Sequence, residues 1–166
     1  MFMSYSIFYW VHIVSYIAWL FALAASLFLA SKVRAEKNDR RKQLYMKWER
    51  LATDTGAHLG AIGILISGAA MASLPVGPRW GWFNVQLYPW LALKQGFFIL
   101  ILVLVVLSMR RSSAFRKALK REREEKERTN DTIRKRWSSA YRMSLLVYLL
   151  VVINTFLGLV KPYLLG

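Results

Sequence analysis

Six side chains able to do chemistry stand inside or at the edge of apolar sequence: His12, Asp54, His58, Lys94, Asn154 and Lys161. An imidazole ligates iron and other transition metals, and a lysine amine ligates when neutral or binds a carboxylate when charged. Ionisable groups are costly at membrane depth, so each is a candidate site until a cheaper explanation appears. Cysteine is absent, which excludes disulfides and thiolate metal or iron-sulfur sites.

The elements that must position these groups follow from how apolar and charged residues are segregated. The chain has 166 residues, 56% of them hydrophobic, a positive mean hydropathy and a formal net charge of +15. Four apolar blocks, at about 6–31, 55–74, 90–109 and 143–161, each approach the roughly 20 residues a helix needs to cross ~30 Å of hydrocarbon. The expected fold is all-α: a polytopic membrane protein in one domain, 1–166, built as a four-transmembrane-helix bundle. The first block is long and follows an uncharged MFMSYS, so it is expected to remain as a helix rather than be cleaved as a signal.

Residues 32–50 carry 8 Lys/Arg and residues 110–142 carry 13, against Arg79 alone between the second and third blocks. The positive-inside bias places both charged connectors in the cytoplasm and both termini outside. Topology, helped by anionic lipid headgroups, accounts for the charge without nucleic acid. Residues 39–54 and 110–142 read as helical extensions. No Gly or Pro lies between Phe97 and Leu157, and Glu122 to Lys126 and Glu124 to Arg128 have i,i+4 spacing. Helices three and four are expected to project as a charged hairpin turning near Thr129, Asn130 and Asp131, a solvated stalk or, alternatively, a docking surface.

Depth sorts the polar groups. At 1.5 Å per residue, His12 falls roughly 9 Å to the outer side of the middle and His58 roughly 10 Å to the inner side. That separation of about 19 Å disfavours a bis-histidine haem within one chain. Lys94 lies roughly 8 Å outward, level with His12, with Asn154 slightly deeper and Lys161 at the outer end of helix four. This layer suits a haem and its carboxylates. The plainer alternatives are a His12 hydrogen bond to a neighbouring helix, Lys94 reaching out to the interface, and Asp54 fixing His58 from one turn away. Gly56, Gly60, Gly63 and Gly68 give helix two a small-residue surface open to either a helix or a macrocycle.

Four landmarks in order make the chain resemble the HemJ-type protoporphyrinogen oxidases and, more loosely, CopD-like four-helix proteins. They are HIVSYIAW at 12–19, ERL at 49–51, WLALK at 90–94, and YR at 141–142 leading to VKPY at 160–163. The resemblance implies haem b ligated at the His12 position, an essential partner or catalytic residue at Lys94, and oxidation of protoporphyrinogen IX to protoporphyrin IX. Electrons would pass to a membrane acceptor such as a quinone in a bacterial inner membrane. Asn154 and Lys161 are the accompanying candidates for cofactor binding. The chain departs from the family where MSLLVY replaces an Asn-Glu-x-Pro-Thr segment in helix four, and where ASLFLASK replaces a Pro-Arg ending of helix one. Those departures keep a second class open: a non-catalytic subunit of a respiratory or photosynthetic membrane complex, or a homo-oligomer, with or without haem or chlorin. A copper-handling role is disfavoured because no His/Met/Cys cluster stands at the outer face.

Overall fold

A computed structural model describes residues 2–74, 82–125 and 130–164, with side chains described for 5–56, 59–74, 82–121 and 131–158. The described residues form four helices: α1 (Phe2–Ala35), α2 (Asp39–Ser73), α3 (Pro89–Glu125) and α4 (Asn130–Leu164). All four contain stretches long and apolar enough to cross a membrane. The charged extensions are continuous with them, so α2 runs unbroken from Asp39 and α3 on to Glu125. Of the expected turn near Thr129, Asn130 and Asp131, Asn130 opens α4, while residues 126–129 and the side chains of Glu122, Glu124, Lys126 and Arg128 lie outside what is described.

Local chemistry sets the helix starts. The Asn38 side chain caps α2 by accepting from the Arg41 backbone N–H at 3.1 Å, while the Asn38 N–H donates to Glu36 Oε1 at 3.0 Å. Pro89 opens α3, where a missing N–H costs nothing, and the Tyr88 carbonyl accepts from Leu91 and Ala92. Just before it, the Asn84 side chain accepts from Leu87 N–H at 3.0 Å and closes the preceding turn.

The helices pack as two antiparallel pairs, α1 along α2 and α3 along α4, with far fewer close approaches between the pairs. The glycines of α2 explain the first pair. A Cβ at Gly56 would run into Ala22, at Gly60 into Trp19 at 3.0 Å, and at Gly63 into Ser15. Helix α1, not a flat ligand, therefore fills the small-residue groove along 56–63. Between the pairs, Trp19, Ile64, Ile101, Val147 and Val151 form an apolar core.

A second core corrects the expectation of a solvated stalk. Phe115, Ile133, Trp137 and Tyr141 of the α3–α4 extension bury their side chains with Val33 and Met46. Among the described residues of the extension, the outer faces carry charge to solvent, as at Lys117 and Arg134 to Arg136. Trp137 and Tyr141 stack at 5.1 Å, and the Arg34 guanidinium lies 5.9 Å from the Tyr141 ring centroid.

Two glycines separate close packing from open surface. Gly63→Ala must push Ser15 aside and is expected to cost about 1–3 kcal/mol. Gly96→Ala meets nothing within 4 Å and should be neutral or stabilise by up to about 1 kcal/mol. Thermal melts of the two variants in one detergent check the contrast.

Candidate functional site

Tyr16 is the centre of the candidate site, although sequence reasoning did not single it out. Its side chain is buried between the helix pairs. The His12 ring packs edge-on against it at 5.1 Å between centroids, and Lys94 Nζ lies 5.7 Å from the centroid of the same ring. Asn154 Nδ2 donates to the Tyr16 hydroxyl at 3.4 Å. Thus α1, α3 and α4 bring His12, Lys94 and Asn154 to one phenol. Asn154 is buried, and its Oδ1 has no protein partner.

Helix α2 contributes the orientation of the imidazole. Ser67 donates its hydroxyl proton to the Gly63 carbonyl, one turn back on its own helix. Its oxygen must then accept from His12 Nδ1, 2.8 Å away, which places the ring proton on Nδ1. In the neutral ring the lone pair is then on Nε2, the arrangement in which a histidine ligates a metal while its other nitrogen is held by a second group. Gly68 passes 3.6 Å from His12 Cε1, judged by where its Cβ would stand. Ser67 was missed because a serine in an apolar helix gives no sign of which neighbour it will meet.

Lys94 is seated by an absence. A Cβ on Gly158 of α4 would stand 2.7 Å from Lys94 Nζ, so the amine lies against bare backbone. Instead of extending outward along α3, the side chain turns inward to α1 and α4. Lys161 and His58 have side chains outside the described residues. The α1–α2 register nevertheless revises the spacing of the histidines. His12 is level with Ser67, and His58 is nine residues from Ser67, or roughly 14 Å along the helix rather than about 19 Å. That spacing still disfavours shared axial ligation within one chain.

A second polar constellation lies nearer the charged end. Glu49 and Arg50 are 0% and 1% exposed and form an ion pair. Glu49 also accepts from Ser26 at 2.6 Å, Thr53 at 3.0 Å and the Trp137 indole at 3.0 Å. Arg50 donates to Ser144 at 3.0 Å, and Ser144 in turn meets Ser108 at 2.9 Å. Alongside, Asp54 accepts from Ser112 at 2.6 Å and meets Arg116 at 3.3 Å. Arg50 counts among the eight cations of the 32–50 connector, and the His58 side chain that Asp54 is expected to fix lies outside the described residues. The structure buries Arg50 and brings α3 groups to Asp54.

This inner cluster is built to hold helices, since its charges already have protein partners. The site around Tyr16 brings together an imidazole, an amine and a buried amide oxygen that has no protein partner. Among the described residues no group of three His, Cys, Asp or Glu side chains could cage a free metal ion. A single imidazole can hold iron firmly only if a macrocycle supplies the remaining in-plane ligands, so the donor set fits a haem better than a bare ion.

Removing one partner of the inner pair leaves a buried charge uncompensated. Glu49→Ala is expected to destabilise by about 3–5 kcal/mol, and Ser26→Ala, which deletes one of several donors, by about 1 kcal/mol. Denaturation of the detergent-solubilised variants checks the ranking.

No family model, curated protein or solved structure matches this chain, so the geometry described above carries the functional argument.

Proposed function

We propose that the chain is a HemJ-like haem-b membrane protein in which His12 ligates the iron. We further propose that it oxidises protoporphyrinogen IX to protoporphyrin IX and passes the electrons to a membrane acceptor such as a quinone. In this reading it sits in a bacterial inner membrane with both termini on the periplasmic side, the orientation the Lys/Arg asymmetry favours. Bound haem would supply a one-electron acceptor within the bundle.

The observation that carries the reading is the hydrogen bond between His12 Nδ1 and Ser67. Ser67 accepts from Nδ1–H, which leaves Nε2 of the neutral ring free to ligate, at the level where Lys94 and Asn154 reach Tyr16. Lys94 would hold a carboxylate of the macrocycle or of the substrate, Lys161 would add a second cation at the terminus end, and the unpartnered Asn154 Oδ1 would accept a pyrrole N–H from the metal-free substrate.

One observation favours a second reading, an accessory subunit of a larger membrane complex. Where the enzyme family has Asn-Glu-x-Pro-Thr, this chain has Ser144 and its neighbours, and Ser144 is engaged with Arg50, Ser108 and the Ala140 carbonyl. That segment serves packing here and offers no carboxylate for proton transfer.

The purified chain is expected to show a Soret band that is lost in His12→Ala. Ser67→Ala should retain it with about 10–100-fold weaker haem affinity, the usual effect of losing the group that orients a ligand histidine. A chain without a Soret band after expression with ample haem would overturn the haem reading. Expression in a strain lacking protoporphyrinogen oxidase should restore growth, and Lys94→Met should not. Failure of the wild-type chain with its Soret band intact leaves the accessory reading.

A further inference from the structure

The helices do not change from apolar to charged surface at one level. Contacts across the bundle fix the levels: Asp54 of α2 meets Ser112 of α3, and Gly56 of α2 faces Ala22 of α1. On α1 the exposed apolar side chains end at Phe28, and the exposed Ser31 and Lys32 follow. Counting six residues from the Asp54–Ser112 contact sets Ala118 of α3 level with Trp48 of α2, and there α3 exposes Lys117, Lys120 and Arg121. Helix α2 behaves differently. Its Leu44, Trp48 and Leu51 are 50%, 53% and 49% exposed, at the three- and four-residue spacing that puts them on one face.

That face prolongs the exposed stripe of Leu59, Ile62 and Ile66, joined to it through the exposed Thr55. Phe28 is level with Arg50, so Trp48 and Leu44 stand roughly 3 Å and 9 Å beyond the last exposed apolar side chain of α1. Such a depth belongs to the headgroup layer, where an indole, part apolar and part polar, settles most readily. Cations border the face. Arg41 and Lys47, three residues either side of Leu44, are exposed. Lys32 is level with Met46 and Lys47, and its amine lies 5.5 Å from the Phe28 ring centroid, at the apolar edge. The acidic Glu36 and Asp39 stand farther out, where α1 gives way to α2, and Glu36 already accepts from the Asn38 N–H. Continuity with the apolar stripe argues for lipid as the occupant, and the sign of the bordering charges selects an anionic headgroup.

We propose that the charged end of the α1–α2 pair is a docking site for anionic phospholipid. Leu44, Trp48 and Leu51 seat against the upper acyl chains, and Lys32 and Lys47 take the headgroup phosphate. The α3–α4 pair, cationic at the same level, offers no such apolar seat, so the site belongs to one side of the bundle. It rests on the reading that the chain spans a bilayer, and holds whether or not the Tyr16 site carries haem.

Brominated lipids test the proposal, because bromine quenches an indole only at close range. The full chain is reconstituted into phosphatidylcholine vesicles containing an equal mole fraction of either brominated phosphatidylcholine or brominated phosphatidylglycerol. The share of emission due to Trp48 is the difference between wild type and Trp48→Phe. Phosphatidylglycerol is expected to occupy the site with about fivefold preference, the effect of roughly one cation at a charged surface. Lys32→Gln combined with Lys47→Gln replaces exposed side chains only and should abolish that preference. Equal quenching by the two lipids in wild type, or a preference that survives in the double variant, overturns the proposal. Trp10, 63% exposed on α1, reports insertion separately through Trp10→Phe. Quenching of Trp10 without Trp48 means that something other than lipid covers the α2 face and overturns the site alone, whereas quenching of neither overturns the membrane reading with it.

Discussion

The architecture depends on a buried ion pair being fully solvated by protein. Taking Glu49 and Arg50 out of water carries a desolvation cost that their mutual attraction repays only when the remaining lone pairs and protons are also satisfied. Here the carboxylate receives Ser26 from α1, Thr53 and Arg50 from α2, and Trp137 from α4, while the guanidinium reaches Ser144. Each bond fixes a register, because a helix that slid by one residue would rotate its donor by about 100° away from the pair. The pair therefore does what the apolar core between the helix pairs cannot do alone, since apolar side chains tolerate sliding and charged ones do not.

That constraint explains why the two ends of the bundle differ. At the charged end, the second core of Phe115, Trp137 and Tyr141 joins the Glu49 cluster in clamping α3–α4 onto α1–α2. At the end carrying the termini, the Asn154–Tyr16 bond is long, at 3.4 Å, and Asn154 keeps an unpartnered oxygen. A bundle clamped at one end can accommodate a ligand between its pairs at the other without losing its register. The candidate site lies at that second end.

Much of this was legible in the sequence, for identifiable reasons. The four spans follow from apolar length, and the grouping of His12, Lys94 and Asn154 at one level follows from counting residues along antiparallel helices. Counting fails where spans are not centred alike, which is why His58 was placed too far from His12. It also cannot tell solvated from buried charge: Arg50 ends a run of surface cations, and only the three-dimensional convergence of Ser26, Trp137 and Ser144 marks it as interior. Tyr16, Ser67 and Gly158 escaped notice for a related reason. Each acts on a residue of another helix, at sequence separations that no local pattern encodes.

Those three residues also show how a membrane-type bundle places polar chemistry without a polar surface. Helices surrounded by apolar solvent gain little by burying apolar faces, so close packing and hydrogen bonds must discriminate between arrangements. Glycines on α2 let α1 approach until Ser67 reaches His12, and Gly158 leaves backbone bare where Lys94 turns inward. The commitment of the Ser67 proton to Gly63 then converts packing into chemistry, because it decides which imidazole nitrogen keeps its lone pair. Small residues bring these polar side chains together, and one hydroxyl selects the tautomer of the neutral histidine.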